Sequence, residues 1–557
     1  MKTTTNLVGI VAFLTVAFAS AEIKNKGWWK NTVFYQVYPR SFMDSNGDGI
    51  GDLKGITSKL DYLEDIGINA VWLSPIYKSP NVDFGYDISD FKAVDPIFGT
   101  SADLKELATE ARKKNLKLVL DLVPNHTSDE HKWFQLSINR TGKYADYYVW
   151  HDGIVNETGE RQPPDNWKSI TGGVAWTWND QRKQFYFHQN FKQQPDLNYS
   201  NPHVQQEMKE VLKYWLDQGV DGFRIDSVYF MFESNITQNE PLINETYDPT
   251  LYYSYNHILT KDQPETYKLL QSWRDYVDEY SRQRNETEKV LLTEAYSSWE
   301  NTMKYYRYGS DIPFNFFFIT QTNANSTASD FRNIINKWMQ MMPKGQVANW
   351  VMGNHDQKRL STRYPGRGDQ MIMLEMILPG VAVTYNGEEI GMVDYTGLEI
   401  FDSRDSSRTP FQWDDSMNAG FSNASKTWLP VNKNYKTLNL KKQKTDAVSH
   451  YKLYKALITL RKSNVLQHGK LTTAVLNNDV LAVVRSIKKE AVTLLINFSS
   501  KKSVSVDLRS MLPYTSATVI LSNVGSKVQS NTKFASSKVT LPPKVSMVLH
   551  SGSRKAN

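Results

Sequence analysis

The chain has 557 residues, with 65 basic and 59 acidic side chains and a formal net charge of +6. Because the charges are mixed along the chain, the sequence does not indicate nucleic-acid binding. Cysteine is absent, which excludes disulfide bonds and thiolate metal sites. A large buried core must therefore supply the stability.

The first residues have the pattern of a secretory signal peptide. An uncharged apolar run covers residues 7–18, and Ala19, Ser20 and Ala21 then precede Glu22 as a small-residue cleavage pattern. The run is shorter than the roughly 20 residues that a membrane-spanning helix needs. We predict that residues 1–21 are removed and that the mature protein is secreted to the extracellular space without a membrane anchor.

Asn-x-Ser/Thr sequons agree with secretion, because N-linked glycans are attached to surface loops of secreted proteins. The sequons begin at Asn139, Asn156, Asn198, Asn235, Asn244, Asn285, Asn325, Asn423 and Asn497. Their density leads us to expect N-linked glycans.

Short apolar runs alternate with helical patterns along most of the chain. The runs lie at residues 33–37, 70–73, 116–123, 222–225, 290–293, 314–318, 347–352 and 381–385. Between the third and fourth runs, residues 203–216 place apolar side chains at helical spacing. Eight strands separated by helices predict an α/β fold, a (β/α)8 TIM barrel, over residues 22–126 and 199–470.

Two segments depart from this alternation. Residues 127–198 are rich in Trp, Tyr, Asn, Gly and Pro, which predicts a loop-rich domain inserted after the third strand. From residue 471 to the end, apolar and polar residues alternate as in residues 503–508, which predicts a C-terminal antiparallel β-sandwich.

Three acidic residues lie just beyond predicted barrel strands. Asp226 follows the fourth strand, Glu294 the fifth and Asp356 the seventh. A lone acid at such a position can also cap a helix or pair with a surface lysine. Three acids at the carboxyl end of one barrel instead indicate an active site, because barrel enzymes place their catalytic groups there. Paired carboxyl groups are what hydrolysis of a glycosidic bond requires.

The motifs around these acids resemble those of the α-amylase family of glycoside hydrolases, and in particular the insect α-glucosidases. The matching segments are Asp-Leu-Val-Pro-Asn-His at 121–126, Gln-Pro-Asp-Leu-Asn at 194–198, Gly-Phe-Arg-Ile-Asp at 222–226, Glu294 and Asn-His-Asp at 354–356. The resemblance implies that Asp226 is the nucleophile, Glu294 the general acid/base and Asp356 the third carboxylate. Arg224 shares the strand face of Asp226, so we expect it to keep the nucleophile ionised.

The resemblance also implies a set of sugar-binding residues. Tyr86 is expected to stack on the terminal glucose, and His126 and His355 to donate hydrogen bonds to its hydroxyls. Asp83 and Arg408 are expected to clamp the same sugar, which would close the site into a pocket. A closed pocket favours removal of single terminal glucoses over internal cleavage.

A candidate metal loop lies near the first strand. Asp44, Asn46, Asp48, Ile50 and Asp52 place oxygen ligands at alternate positions, as in part of a calcium loop. Similar loops in this family bind calcium or magnesium, so we predict a structural Ca²⁺ or Mg²⁺ ion and no organic cofactor. A polar turn stabilised by its own side chains is the alternative.

The sequence therefore predicts a secreted, retaining, exo-acting α-glucosidase whose substrates are small α-1,4-glucosides such as maltose, and also sucrose. One alternative is a transglucosylase or sugar isomerase of the same family, in which another sugar intercepts the glucosyl-enzyme. The other is a noncatalytic homologue, such as a transporter heavy chain or a receptor-like binding protein.

Overall fold

A computed structural model describes residues 22–397 and 402–552 of the chain. The predicted signal peptide, residues 1–21, lies outside these residues. Within the described part of the chain, no helix has both the length and the apolar character required to cross a membrane.

Parallel strands form the centre of the molecule. In chain order they are β1 (Val33–Val37), β2 (Ala70–Leu73), β3 (Lys117–Leu122), β4 (Gly222–Ile225), β5 (Val290–Thr293), β6 (Ile312–Pro313), β7 (Asn349–Val351) and β8 (Val381–Tyr385). Hydrogen bonds connect them in the order β6-β5-β4-β3-β2-β1-β8-β7. Among the described residues the barrel is therefore open only between β6 and β7. The predicted TIM barrel is confirmed.

The strands were predictable because nearly all of their residues are buried on both faces, as is usual for parallel sheets. The sixth predicted strand, residues 314–318, is the exception. The observed strand ends at Pro313, and Phe317–Gln321 is a helix. Asn315 ends the strand because its side chain accepts a hydrogen bond from the Phe317 backbone N–H. The run is short and has four phenylalanines around Asn315, so its periodicity could not distinguish strand from helix.

Helices follow most of the barrel strands. The α-helices are Leu53–Ser58, Leu60–Ile66, Ser101–Lys113, Lys132–Ile138, Pro202–Asp217, Pro264–Arg284, Trp299–Arg307, Phe317–Gln321, Ala328–Met341, Leu360–Arg363, Gly368–Ile377, Leu440–Thr445, His450–Arg461 and Asn464–His468. The helix predicted at residues 203–216 is confirmed as Pro202–Asp217. Asn201 caps it by accepting a hydrogen bond from the His203 N–H, and Pro202 occupies its first turn.

The chain between β3 and β4 makes a long excursion over the carboxyl end of the barrel. It contains a three-stranded antiparallel sheet of Trp150–His151, Trp176–Asn179 and Gln184–Phe187, and a small hairpin of Ile154–Val155 and Arg161–Gln162. Aromatic side chains, Trp167 among them, form its core. One wall of the catalytic cavity comes from this excursion.

The C-terminal region is antiparallel, as predicted. Its strands are β9 (Lys470–Leu476), β10 (Val480–Ile487), β11 (Glu490–Asn497), β12 (Val504–Val506), β13 (Ser516–Ser522), β14 (Lys533–Ala535), β15 (Val539–Leu541) and β16 (Ser546–Gly552). A six-stranded sheet has the order β9-β10-β11-β16-β13-β14, and β12 pairs with β15. Val504 and Val506 of β12 point into the core between the two sheets, while Ser505 faces outward. This alternation is the pattern that the sequence showed.

Candidate active site

The three predicted carboxylates line one cavity at the carboxyl end of the barrel. Asp226 and Glu294 follow the neighbouring strands β4 and β5, which pair in register. Asp356 lies in the turn after β7. All three side chains face a cavity of about 550 Å³, a volume within the range of small-molecule sites. The fold therefore brings together the acids that the sequence placed at separate strand ends.

Arg224 is the charged centre of the group at β4 and β5. Its Nη1 lies 2.9 Å from Asp121 Oδ1 and also contacts Asp226, while its Nη2 lies 3.9 Å from Glu294 Oε2. The guanidinium is buried and lies 5.0 Å from the Trp72 ring. One fixed cation thus serves three carboxyl groups, which do not all ionise readily in a buried site.

Glu294 has the environment of a proton donor. Burial raises the pKa of Glu294 to about 8, and the negative charge of Asp226 adds to the effect against the opposing influence of Arg224. Ser227 adopts a left-handed conformation with φ 45°, and its backbone N–H donates to Glu294 Oε2 at 2.7 Å. Glu294 is therefore held in a fixed orientation and carries a proton at neutral pH.

Asp356 has the opposite environment. Burial alone would raise the pKa of Asp356, but His355, Arg408 and Arg404 lower it below its usual range. Arg408 Nη2 lies 2.9 Å and Arg404 Nη1 3.5 Å from Asp356 Oδ1. Burial also lowers the pKa of His355 to about 3, so this imidazole is uncharged at neutral pH. The positive charges beside Asp356 at neutral pH are therefore those of the two guanidinium groups.

A chain of hydrogen bonds connects the predicted aromatic and histidine residues. The Gln36 amide donates to His355 Nδ1 at 2.8 Å, which assigns the ring proton to Nε2. His355 Nε2 lies 2.7 Å from the Tyr86 hydroxyl, and that hydroxyl donates to Asp121 Oδ2 at 3.1 Å. Burial raises the pKa of Asp121 to about 7. Tyr86 is fixed in the wall of the cavity by this chain.

His126 also lines the cavity, but its ring nitrogens are engaged by the protein. Nε2 lies 2.9 Å from the Tyr86 carbonyl oxygen, and Nδ1 lies 3.2 Å from the Asn125 amide and 3.3 Å from the Asn190 amide. In this arrangement His126 supports the Tyr86 loop, and a sugar hydroxyl would have to displace one of these partners to accept its proton.

Asp83 and Arg408, which were expected to clamp one sugar together, are not in contact with each other in the structure, where each has another partner. Arg404 Nη2 lies 2.7 Å from Asp83 Oδ1, and both residues line the cavity. Arg408 is 0% exposed and donates instead to Asp356 and, at 2.9 Å, to the His355 carbonyl. Both arginines lie within one short segment, so only its folding, with the helical turn Asp405–Ser407 between them, decided which guanidinium faces the cavity.

Several residues of the cavity were not predicted from the sequence. They follow the strands from β4 to β8, and they are Tyr229, Phe230, Tyr252, Tyr253, Lys261, Tyr296, Thr320, Gln357 and Arg404. Burial lowers the pKa of Lys261, whose ammonium donates to the Tyr296 carbonyl. Most of these residues could have been suspected from the sequence, because a long loop rich in aromatic residues follows the predicted strand that precedes Asp226.

The predicted metal loop folds around Asp44. Asp44 Oδ1 accepts hydrogen bonds from the backbone N–H groups of Asn46 at 3.0 Å and Gly47 at 2.7 Å, and Oδ2 from that of Gly49 at 2.8 Å. Asp44 and Asp52 are buried, and among the described residues neither has a lysine or arginine ion-pair partner. Asp52 likewise accepts hydrogen bonds from the backbone N–H groups of Ser45 and Gly55, at 2.7 Å each. Oxygen ligands of this type suit a hard divalent cation, but among the described residues no group of three or more His, Cys, Asp or Glu side chains is arranged to hold a metal ion.

The sequence and the structure of the chain are similar to those of known enzymes. Residues 36–469 match the family model described as the catalytic domain of alpha-amylase. The chain is 46% identical to Maltase 1 of Drosophila virilis, over 94% of this chain and 87% of that protein. It is 44% identical to the salivary alpha-glucosidase of Anopheles gambiae, over 94% and 93%. The solved structure of the alpha-glucosyl transfer enzyme XgtA is similar, with a TM-score of 0.82, 32% identity and coverage of 94% and 99%.

Proposed function

Because the chain belongs to the α-amylase family of glycoside hydrolases, we propose that it is a retaining α-glucosidase that removes terminal glucose from maltose and short α-1,4-linked oligosaccharides. The observation that carries the proposal is the pairing, in one cavity, of a protonated Glu294 with the guanidinium-bound Asp226. A proton donor next to a carboxyl group held by a cation is the arrangement that an acid/base and a nucleophile need.

Each residue has a defined part in the proposed reaction. Glu294 donates its proton to the glycosidic oxygen while Asp226 attacks the anomeric carbon, so the leaving sugar departs as an alcohol and a glucosyl-enzyme forms. Glu294, now ionised, then takes a proton from water, which attacks the same carbon and releases Asp226. Asp356 stays ionised beside the developing positive charge of the sugar ring.

Exo-action is proposed from the closed end of the cavity. Asp83 and Arg404 form an ion pair across that end, and Tyr86 lies beside them. A sugar chain extending past the terminal glucose would meet this pair. After β4, the lining residue Tyr253 is 75% exposed, so the leaving group is proposed to extend on that side. The pocket therefore suits a chain end.

The proposal is tested by incubating the purified protein with maltose, sucrose and isomaltose, and by following the first product with proton NMR. We expect glucose to be released first as the α-anomer. An Asp275→Asn variant, which changes an exposed acid on the helix Pro264–Arg284, serves as a control with unchanged activity. First release of the β-anomer would contradict the assigned roles.

Transglucosylation is the second candidate, favoured by the similarity to the alpha-glucosyl transfer enzyme. The two reactions share the glucosyl-enzyme and differ only in whether water or a sugar intercepts it. Product analysis at low and at high maltose concentration separates them. Trisaccharides that dominate even at low maltose would assign the chain to the transfer reaction. A noncatalytic homologue would give neither product.

Calcium binding remains a proposal, with Asp44, Asn46, Asp48, the Ile50 carbonyl and Asp52 as the ligands. A cation here would stabilise the loop that begins after β1 without touching the reacting sugar. Dialysis against a chelator should lower the melting temperature, and calcium should restore it more effectively than magnesium. The absence of a bound metal in elemental analysis, together with an unchanged melting temperature, would leave the self-stabilised polar turn as the explanation.

Secretion and glycosylation are proposed from the signal-peptide pattern and the sequons. Six sequon asparagines are exposed, namely Asn139, Asn235, Asn244, Asn285, Asn325 and Asn423. Asn497 is an exception, because it is 0% exposed and its amide donates to three backbone carbonyls, including that of Leu541 at 3.1 Å. A glycan at Asn497 does not fit the folded chain. Mass spectrometry of peptides from protein expressed with its leader tests these assignments.

A further inference from the structure

Two adjacent tyrosines at the mouth of the cavity have different surroundings. Tyr252 is buried, whereas Tyr253 is 75% exposed, and both line the cavity that holds the catalytic carboxylates. Their rings lie edge to face with centroids 5.3 Å apart. Because Tyr253 both lines the cavity and is exposed, the apolar face of its ring is free to pack against a ligand that enters the cavity.

The segment that carries these tyrosines is held in place by buried polar contacts. The Tyr252 ring stacks on His257 with centroids 3.7 Å apart and 13° between the planes. His257 Nε2 lies 3.0 Å from the Tyr252 carbonyl oxygen, and its Nδ1 contacts the Glu240 carboxylate. Glu240 also accepts hydrogen bonds from the backbone N–H groups of Leu259 at 3.2 Å and Thr260 at 3.1 Å.

The same segment is also attached to the chain inserted between β3 and β4. Asn166 exchanges two 2.9 Å hydrogen bonds with the backbone of Glu240, and the Trp167 indole donates to the Gln238 carbonyl at 3.0 Å. The backbone that carries Tyr253 is therefore held in place by these contacts. A preorganised aromatic side chain loses little conformational entropy when a ligand binds to it.

The position of Tyr253 relative to the carboxylates defines which part of a substrate it can meet. The terminal glucose occupies the end of the cavity closed by Asp83 and Arg404, and the bond that is cut lies beside Glu294. The sugars on the other side of the cleaved bond must extend out of the cavity through its open side, where Tyr252 and Tyr253 lie. Pyranose rings have apolar C–H faces that pack well on aromatic rings.

We propose that Tyr253 is a stacking platform for the sugar beyond the leaving-group glucose, and that it sets the preference of the enzyme for oligosaccharides over disaccharides. The proposal rests on the proposed α-glucosidase function. Maltose ends at the leaving-group glucose and does not reach this platform, whereas maltotriose and longer α-1,4-glucans do. Tyr253 then contributes to specificity without contacting the reacting atoms.

The test compares kcat/KM for maltose, maltotriose and maltotetraose in the wild type and in Tyr253→Ala. We expect Tyr253→Ala to lower kcat/KM about five- to tenfold for the two longer substrates, mainly through KM, and to leave the value for maltose within about twofold. Tyr253→Phe keeps the ring and should behave as the wild type. Tyr247→Ala is a matched control, because Tyr247 is an exposed tyrosine of the same segment that does not line the cavity.

If Tyr253→Ala lowered kcat/KM equally for maltose and maltotriose, or for neither, the proposed stacking role of Tyr253 would be wrong. If the wild type cleaves no α-glucoside, the proposed function fails, and the platform is then tested by calorimetric titration of the wild type and Tyr253→Ala with maltotriose. Equal affinities in that titration would overturn the platform, while weaker binding by Tyr253→Ala would support it independently of catalysis.

Discussion

The two groups of carboxylates in the cavity differ in how many cations they share. At β3, β4 and β5, Asp121, Asp226 and Glu294 share the single guanidinium of Arg224. After β7, Asp356 is contacted by two guanidinium groups, those of Arg404 and Arg408, although Arg404 also pairs with Asp83 and Asp402. The cation-poor group keeps a proton on Glu294, and the cation-rich group keeps Asp356 ionised. The number of arginines near each carboxyl group thus decides whether that group is protonated or ionised, and so which chemical role it can have.

The largest effect should follow from removing the charge of the nucleophile. Asp226→Asn is expected to lower kcat for maltose about 10⁴-fold, because the glucosyl-enzyme cannot form. Glu294→Gln should lose a similar factor on maltose but much less on p-nitrophenyl α-glucoside, whose leaving group needs no proton. Near-normal turnover by Asp226→Asn would place the nucleophile elsewhere.

The next largest effect concerns the two arginines near Asp356. Arg404→Ala is expected to lower kcat/KM about 100-fold, since it leaves Asp83 without its cation at the end of the cavity where the terminal glucose is proposed to bind. Arg408→Ala should instead lower the melting temperature, because Arg408 is fully buried and its loss leaves a cavity. Arg404→Lys is the control that retains charge. Equal melting temperatures for the two alanine variants would contradict this division.

The pH dependence of activity sharpens the contrast between Glu294 and Asp356. Glu294 must be protonated when the free enzyme binds substrate, and its pKa is raised to about 8. We therefore expect kcat/KM to fall about tenfold for each pH unit above 8. The measurement is a pH profile with maltose. If kcat/KM already began to fall below pH 6, burial would not be what sets the pKa of Glu294.

The smallest effect is on stability. Since the folded-state pKa of Glu294 is raised above the unfolded value of 4.5, its protonated form stabilises the fold fully below pH 4.5, and this contribution is lost as the pH rises to about 8. Glu294→Gln removes that dependence. Urea unfolding should show the variant gaining stability relative to the wild type between pH 5 and pH 8, by up to about 1.4 kcal/mol for each pH unit. A constant difference would argue against a buried proton.

The sequence by itself determined the barrel and the positions of its acids. Strands buried on both faces appear as continuous apolar runs, and an acid directly after such a run must lie at the carboxyl end of the barrel. Asp226, Glu294 and Asp356 could therefore be assigned to one face before the fold was known. The alternation around Val504 likewise indicated the C-terminal sheets.

Only the tertiary structure decided features that depend on contacts between distant segments. Arg404 rather than Arg408 meets Asp83 because of how one short loop folds against the segment that contains Asp83. Asn497 is a sequon by its local pattern, yet the packing of its strand buries it. The proton on Glu294 depends on burial and on the charge of Asp226, and neither quantity can be read from a linear pattern, because both arise from which groups the fold brings together.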